Sequence, residues 1–518
     1  MMDFGDDVLL LEHFLLPNSA YNSRFVDSGA TMRWNHEAVN LAAQTEGELD
    51  RTRSGRFMSL SAPDVEKASQ VTMMDSNEAS YARALHITTE DMEKFSMTLK
   101  TMDSLHQIEH FECPRRSRVV RCLTAYFEYF DPHTPIIQHA TFHISTSSPV
   151  LVLAMLSIGA LHLFEHEFAT STYEAACTLL KHYPEDTCVP SSMSVEFDFG
   201  PIQATILCAQ FGVFSDNEVF LLRAQKQFSS ISIMLRSGWE IIKTKAFMPN
   251  QDWATWSFLE TYVRLASWSS TLSAITLAYD PQSVAIFPHQ VSDLPVPHDE
   301  EFWQARSAQE WELRGGSSSH HHTPKFAVLA TAVIRGEYIT ENVSSFGLLC
   351  LIGWILAYIC NHERLSLGLF DAFEDSFIQK LERGLCIWEG LFRRHPLADQ
   401  VGYKHADPLL ADCFSLVGSA YYHLYIGEDL RIFKEVAARQ ETGGAANTVE
   451  FFPRFRSQEM ARKAVRYAVN SWLVRVKLGI SRLNRTAALI FGGHYMMTSY
   501  ECGKFVSQDP CPDYMSKG

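Results

Sequence analysis

The run Val150–Phe164 is apolar on every side of a helix, and it limits what the chain can fold into more than any other segment. Ser148-Pro149 directly before it is a helix-start signal, with proline near the first turn. A helix without a polar face has to be central in a core or lie in a bilayer. Its fifteen residues fall short of the roughly twenty that span hydrocarbon. A buried central helix is therefore expected. Phe346–Cys360 is a second run of the same length and takes the same reading, so no membrane span is expected.

Around these runs the pattern is helical. In Arg118–Phe130 the residues Val119, Leu123, Tyr126, Phe127 and Phe130 recur at steps of three and four, which puts them on one face. Asp131-Pro132 then ends the helix, because proline disfavours helical geometry in the residue before it. Further helices are expected near Ser171–His182, Pro201–Phe214, Asp216–Arg236, Asp252–Leu277, Phe346–Arg364, Leu365–Arg394, Pro408–Ile426 and Ser457–Leu478. Period-two strands are scarce. The predicted fold class is all-α: an irregular multi-helix body over residues 111–500, with a tail at 501–518. It is interrupted by a flexible Gly/Ser/His loop near 314–324 and again at Gly443-Gly444.

Residues 1–110 differ in character. They hold 18 acidic against 9 basic side chains, so −9 of the chain's −16 lies there. From Asn18 to Glu78 no apolar period is sustained, and the region is expected to be largely poorly ordered. The opening segment, residues 1–20, mixes Phe4, Leu9, Leu10, Leu11, Phe14, Leu15 and Leu16 with acids. Such a mixture suits either an activation segment that a coactivator groove captures or a terminal helix packed on the body. Asp3, Asp6 and Asp7 stand where a secretory signal needs positive charge.

Hydrophobic residues make up 46% of the 518, enough for a large core. A net charge of −16 repels phosphate backbones, so a broad nucleic-acid-binding surface is not expected. The small basic patch Arg115, Arg116, Arg118 and Arg121 could touch phosphate or be a solvated helix end. The eleven cysteines show neither C-x2-C nor C-x4-C spacing, which excludes a self-contained zinc finger within these residues and suits a reducing compartment.

The strongest enzyme signal is His162-Leu163-Phe164-Glu165-His166, which fits H-x-x-E-H. On one helix that spacing places two histidines a turn apart for zinc, with the glutamate as base. Such a zinc-dependent peptidase needs a third ligand, for which Glu240 is a candidate only by its distance along the chain. His139 and His143 are also spaced i,i+4, and His320–His322 form a run in the Gly/Ser loop. Asp6-Asp7 and Asp216-Asn217-Glu218 lack the aspartate-rich spacing that holds magnesium against diphosphate, and no Walker loop, G-x-S-x-G elbow or G-x-G-x-x-G turn is present. No catalytic, cofactor-binding or metal residue is assigned, no cofactor is expected, and the chain is not expected to be an enzyme.

Residues 115–313 resemble the fungal-specific transcription factor domain, or middle homology region. The resemblance starts in LTAYFEYFDPHTPIIQHATF, with Tyr126, Phe127, Phe130, Pro132, Pro135, Ile136, His139, Thr141 and Phe142. It continues through Ala154, Met155, Ile158, Gly159, Ala160 and Leu161, then Tyr173, Ala175 and Ala176. Pro201-Ile202-Gln203-Ala204 with Phe211-Gly212 follows, and then Trp253, Trp256, Glu260, Arg264 and Trp268. Leu294, Pro295, Trp303 and Trp311 resemble the variant usually found behind two-Cys two-His zinc fingers. Glu260 and Arg264 stand at i,i+4 with the acid first, the favourable order for a helix pair, and are expected to form an ion pair in a core helix.

The resemblance implies a nuclear transcription regulator of a fungal gene set: nutrient use, drug response or, favoured here, a secondary-metabolite biosynthetic gene cluster. Its partners would be the transcription machinery or a DNA-binding protein, with DNA reached directly or indirectly. A homodimer and a small-molecule effector are further expectations. Members normally carry a zinc module before this domain. None lies in this sequence, so the reader of DNA is either lost or encoded upstream.

Overall fold

The computed structural model describes residues 85, 87–103, 108, 111–181, 183, 197–215, 217–246, 252–279, 293–316, 324–366, 375–398, 407–441 and 464. The activation segment at 1–20, the expected 1–110 extension as far as residue 84, the His320–His322 loop, the Ser457–Leu478 helix apart from Ala464 and the 501–518 tail lie outside them.

The described residues form thirteen α-helices and no strand. A single antiparallel bridge joins Pro295 and Lys325. The body is all-α, as the periodicity requires. It begins earlier than residue 111, because α1 (Thr89–Met102) carries Phe95 and Leu99 into the core. Thr88 and Asp91 close a capping box at its start, each side chain taking a backbone N–H of the other.

The expected helix over Arg118–Phe130 is two pieces. α2 (Arg116–Ala125) runs into one wide π turn, Tyr126–Phe130, and then a 3₁₀ turn, Asp131–His133. The wide turn brings Tyr126, Phe127 and Phe130 all to the inside, with Tyr126 edge-on to Phe127 at 5.3 Å. α3 (Pro149–His162) is the central helix. Every residue of it except Leu161 is buried, and α2, α4 (His166–Leu180) and α5 (Gly200–Val213) pack around it. Burial on all sides is what a helix with no polar face requires.

α6 (Glu218–Ala246) packs on α5, and α7 (Trp253–Tyr279) leads into the second half. α7 buries an unusual number of hydroxyls. Thr261, Ser269, Thr271 and Thr276 each donate to the carbonyl four residues back, at 2.7–3.0 Å, which satisfies them without a partner helix. Two short helices follow, α8 (Glu300–Trp303) and α9 (Ala308–Leu313). α10 (Phe326–Arg335) then ends on Gly336 in the left-handed conformation.

α11 (Ser345–Ser366) is the second apolar run. With flanking residues it is long and apolar enough to cross a membrane, but α7 and α13 cover it and 78% of its apolar window is buried. It is a core helix. α12 (Asp375–Arg394) turns Ile378, Leu381, Leu385, Trp388, Leu391 and Phe392 inward. α13 (Pro408–Glu441) kinks at Ile426, where the backbone leaves helical geometry.

Candidate functional site

The polar centre of the body is built on α7. One helical stripe of α7 holds Trp253, Trp256, Glu260 and Arg264, facing the turn that leads into α8 and α9. Trp256 is buried 5.5 Å from Trp311 and 5.7 Å from His298. Arg264 is wholly buried and bonds in four directions. Its Nε donates to Glu260 Oε1 at 2.7 Å, Nη1 to Glu300 Oε1 at 2.8 Å and to the Pro135 carbonyl at 3.4 Å, and Nη2 to the His298 carbonyl at 2.8 Å. The guanidinium also lies over the Trp303 ring at 4.5 Å and the Phe346 ring at 5.3 Å. One side chain thus joins α7, the loop after the 3₁₀ turn, the turn into α8 and the start of α11.

Glu260 accepts from the His298 backbone N–H at 3.0 Å, and its second oxygen is 2.9 Å from His298 Nδ1. Burial pushes its carboxyl up, but Arg264 and His298 outweigh that and hold it at about 2. Glu300 comes out differently. Burial raises it to about 7, against the pull of Arg264 and helped by the charges of Asp407 and Glu260. Asp131 is likewise pushed well above the usual range, by burial and then by Glu300. A single cation among several carboxylates holds the nearest one ionised and leaves the outer two competing.

A polar chain extends from this centre. Gln138 donates to the Trp303 carbonyl at 3.4 Å and accepts from Ser257; Gln203 donates to the Ile136 carbonyl at 3.0 Å; Trp268 donates to Gln210 at 3.1 Å. The Gln203 of Pro201-Ile202-Gln203-Ala204 is therefore a strut between α5 and the 130s loop. A neighbouring group sets His133 Nδ1 2.6 Å from Asp412, and Ser345 against both Asp407 and His395, with 3.3 Å to the latter.

The H-x-x-E-H segment is not on one helix. α3 ends at His162, the chain turns, and α4 starts at His166. The turn is a Schellman motif: Glu165 N–H bonds the Ala160 carbonyl and Phe164 N–H the Leu161 carbonyl, both at 2.9 Å, with Phe164 at φ 60°. His162 is buried beside Tyr129 and Phe130, His166 is exposed, and Glu165 pairs with Arg118 at 3.2 Å and with Arg121. These three groups face different surroundings. The side chain of Glu240, the proposed third ligand, lies outside the described residues. His139 and His143 sit in a turn rather than a helix; His139 stacks edge-on to Phe127 at 4.5 Å and His143 is exposed.

The arginine patch is partly spent inside the molecule. Arg116 donates to the Ile87 carbonyl, and Arg118 and Arg121 share Glu165, with Arg118 4.7 Å above Phe168. His298, Glu300 and Asp131 are the members of the Arg264 centre that periodicity did not single out.

Residues 123–367, from the end of α2 to just past α11, match the family model of the fungal specific transcription factor domain, and the whole Arg264 centre lies within that span. That family is one of transcription factor domains and not of enzymes. No curated protein and no solved structure matches the chain.

Proposed function

We propose that this protein is a nuclear regulator of a fungal gene set that reaches its promoters through a partner. The observation that carries the proposal is the fungal specific transcription factor domain over residues 123–367. The acidic balance of −16 and the internal pairing of Arg118 and Arg121 support contact with proteins rather than with phosphate. In this reading the helical body mediates partner contact, self-association or effector sensing. The Arg264 centre holds its two halves in one arrangement and takes no part in chemistry.

The test is a transcriptome comparison between a strain lacking the gene and its parent, with a fluorescent fusion at the native locus. A coordinated change across a block of neighbouring genes, with nuclear signal, is the expected result and would identify a biosynthetic gene cluster as the target. An unchanged transcriptome with one metabolic intermediate accumulating would overturn the proposal in favour of an enzyme.

A further inference from the structure

Cys360 and Glu363 stand three residues apart on α11, so they project from the same side of the helix. His423 meets them from α13, three residues before the kink at Ile426. Cys360 Sγ, a carboxylate oxygen of Glu363 and a ring nitrogen of His423 all lie within 4.8 Å of one another. His423 Nδ1 is 3.1 Å from Glu363 Oε2. With Zn–N and Zn–O bonds of about 2.1 Å and Zn–S of about 2.3 Å, tetrahedral donors stand roughly 3.4–3.7 Å apart. The His–Glu separation already approximates that edge, and the trio closes on an ion with shifts of about 1 Å.

Two further observations point to a ligand. His423 is 6% exposed, and its Nε2 is buried without a hydrogen-bond partner. With its proton on Nε2, the ring turns the Nδ1 lone pair to the carboxylate 3.1 Å away, two acceptors that an ion between them would join, and a neutral imidazole of this kind is the form that binds metal. The backbone also leaves space for the carboxylate. A Cβ at position 427 would lie 3.0 Å from both Glu363 oxygens, and the residue there, beside the kink, is glycine.

We propose that Cys360, Glu363 and His423 form a zinc site that clamps α11 to α13. Binding would replace the Cys360 thiol proton, which leaves to solvent, by a Zn–S bond. Thiolate and carboxylate then balance the two charges of the ion, which leaves the buried site neutral. Three protein donors leave the fourth position to water. A thiolate–imidazole–carboxylate set favours zinc over magnesium or calcium, which take oxygen donors.

The experiment loads the full-length chain with zinc, dialyses it exhaustively and measures metal by mass spectrometry beside the helical circular dichroism signal. About one zinc per chain is expected. Cys360→Ser and His423→Gln should each weaken retention at least about tenfold. A variant with His320→Ala, His321→Ala and His322→Ala should retain zinc unchanged, which separates this site from the histidine run. Cobalt in place of zinc should give a thiolate charge-transfer band and tetrahedral ligand-field bands, which decides the question in the unmutated protein even where a variant folds poorly. A folded chain that keeps no zinc, a Cys360→Ser variant that keeps it fully, or cobalt without the thiolate band would overturn the proposal.

Discussion

Arg264 shows how much one side chain can fix. Its charge is wholly buried, and removing it strands the ionised Glu260, itself 2% exposed, without its main partner. Breaking a buried pair from one side costs about 3–5 kcal/mol. Arg264→Met, similar in volume, should destabilise the protein by that amount in urea unfolding; a loss under about 1 kcal/mol would show that the centre does not hold the fold.

Glu300 gives a prediction of opposite sense with pH. Its folded carboxyl titrates at about 7 against an ordinary 4.5, so between those values the unfolded chain releases the proton first and stability falls as pH rises. Glu260 acts lower down: its contribution is complete above 4.5 and is lost as pH falls toward 2. In Glu300→Gln the fall between 4.5 and 7 should disappear from denaturation midpoints measured across that range. A fall of undiminished size would assign it to another group.

The Glu260–Arg264 pair is legible in the sequence because it is local. His298 and Glu300 are not, since they arrive from 34 to 38 residues away through a turn without periodicity. The Cys360–Glu363–His423 trio is hidden for the same reason: C-x2-E is an unremarkable string until a helix 60 residues on brings the imidazole to it.

Among the elements, the long helices are legible because their apolar content allows no other state. The misses include α10, which no expected helix covers, and three further kinds. α1 has a readable Thr88-x-x-Asp91 capping signal but is surrounded by polar sequence. α8 and α9 are too short to show a period. His162–His166 looks like one helical turn because nothing in its composition marks a break; the left-handed turn falls on Phe164, where glycine would be the usual sign.

Helix contact also makes a paired prediction on glycine. A Cβ on Gly159 of α3 would lie 2.7 Å from the Cys122 carbonyl carbon and closer still to its oxygen, so α2 and α3 would have to separate. Gly159→Ala should cost about 3 kcal/mol. Gly390 in α12 has nothing within 4 Å of such an atom. Gly390→Ala should instead stabilise by about 0.5–1 kcal/mol, because alanine loses less backbone freedom in a helix. Thermal unfolding of both variants checks the pair, and equal effects would remove the close approach as an explanation.

At the scale of the whole molecule, charge decides how a regulator of this kind can reach DNA. A protein of net charge −16 is repelled by a duplex at long range, and only a local cluster of arginines or lysines can reverse that at contact. A cluster of this kind lies on α2 among the described residues, yet Glu165 faces two of its members and the Ile87 carbonyl takes a third. Turning Arg118 and Arg121 to phosphate would leave Glu165, a half-buried carboxylate at the start of α4, without its cations. Purified full-length protein should therefore give no gel shift with promoter duplexes at low salt, and a shift should appear only when a DNA-binding partner is added. A shift by the protein alone that weakens steeply with salt would refute this, and its loss in Arg118→Ala with Arg121→Ala would place the contact on α2.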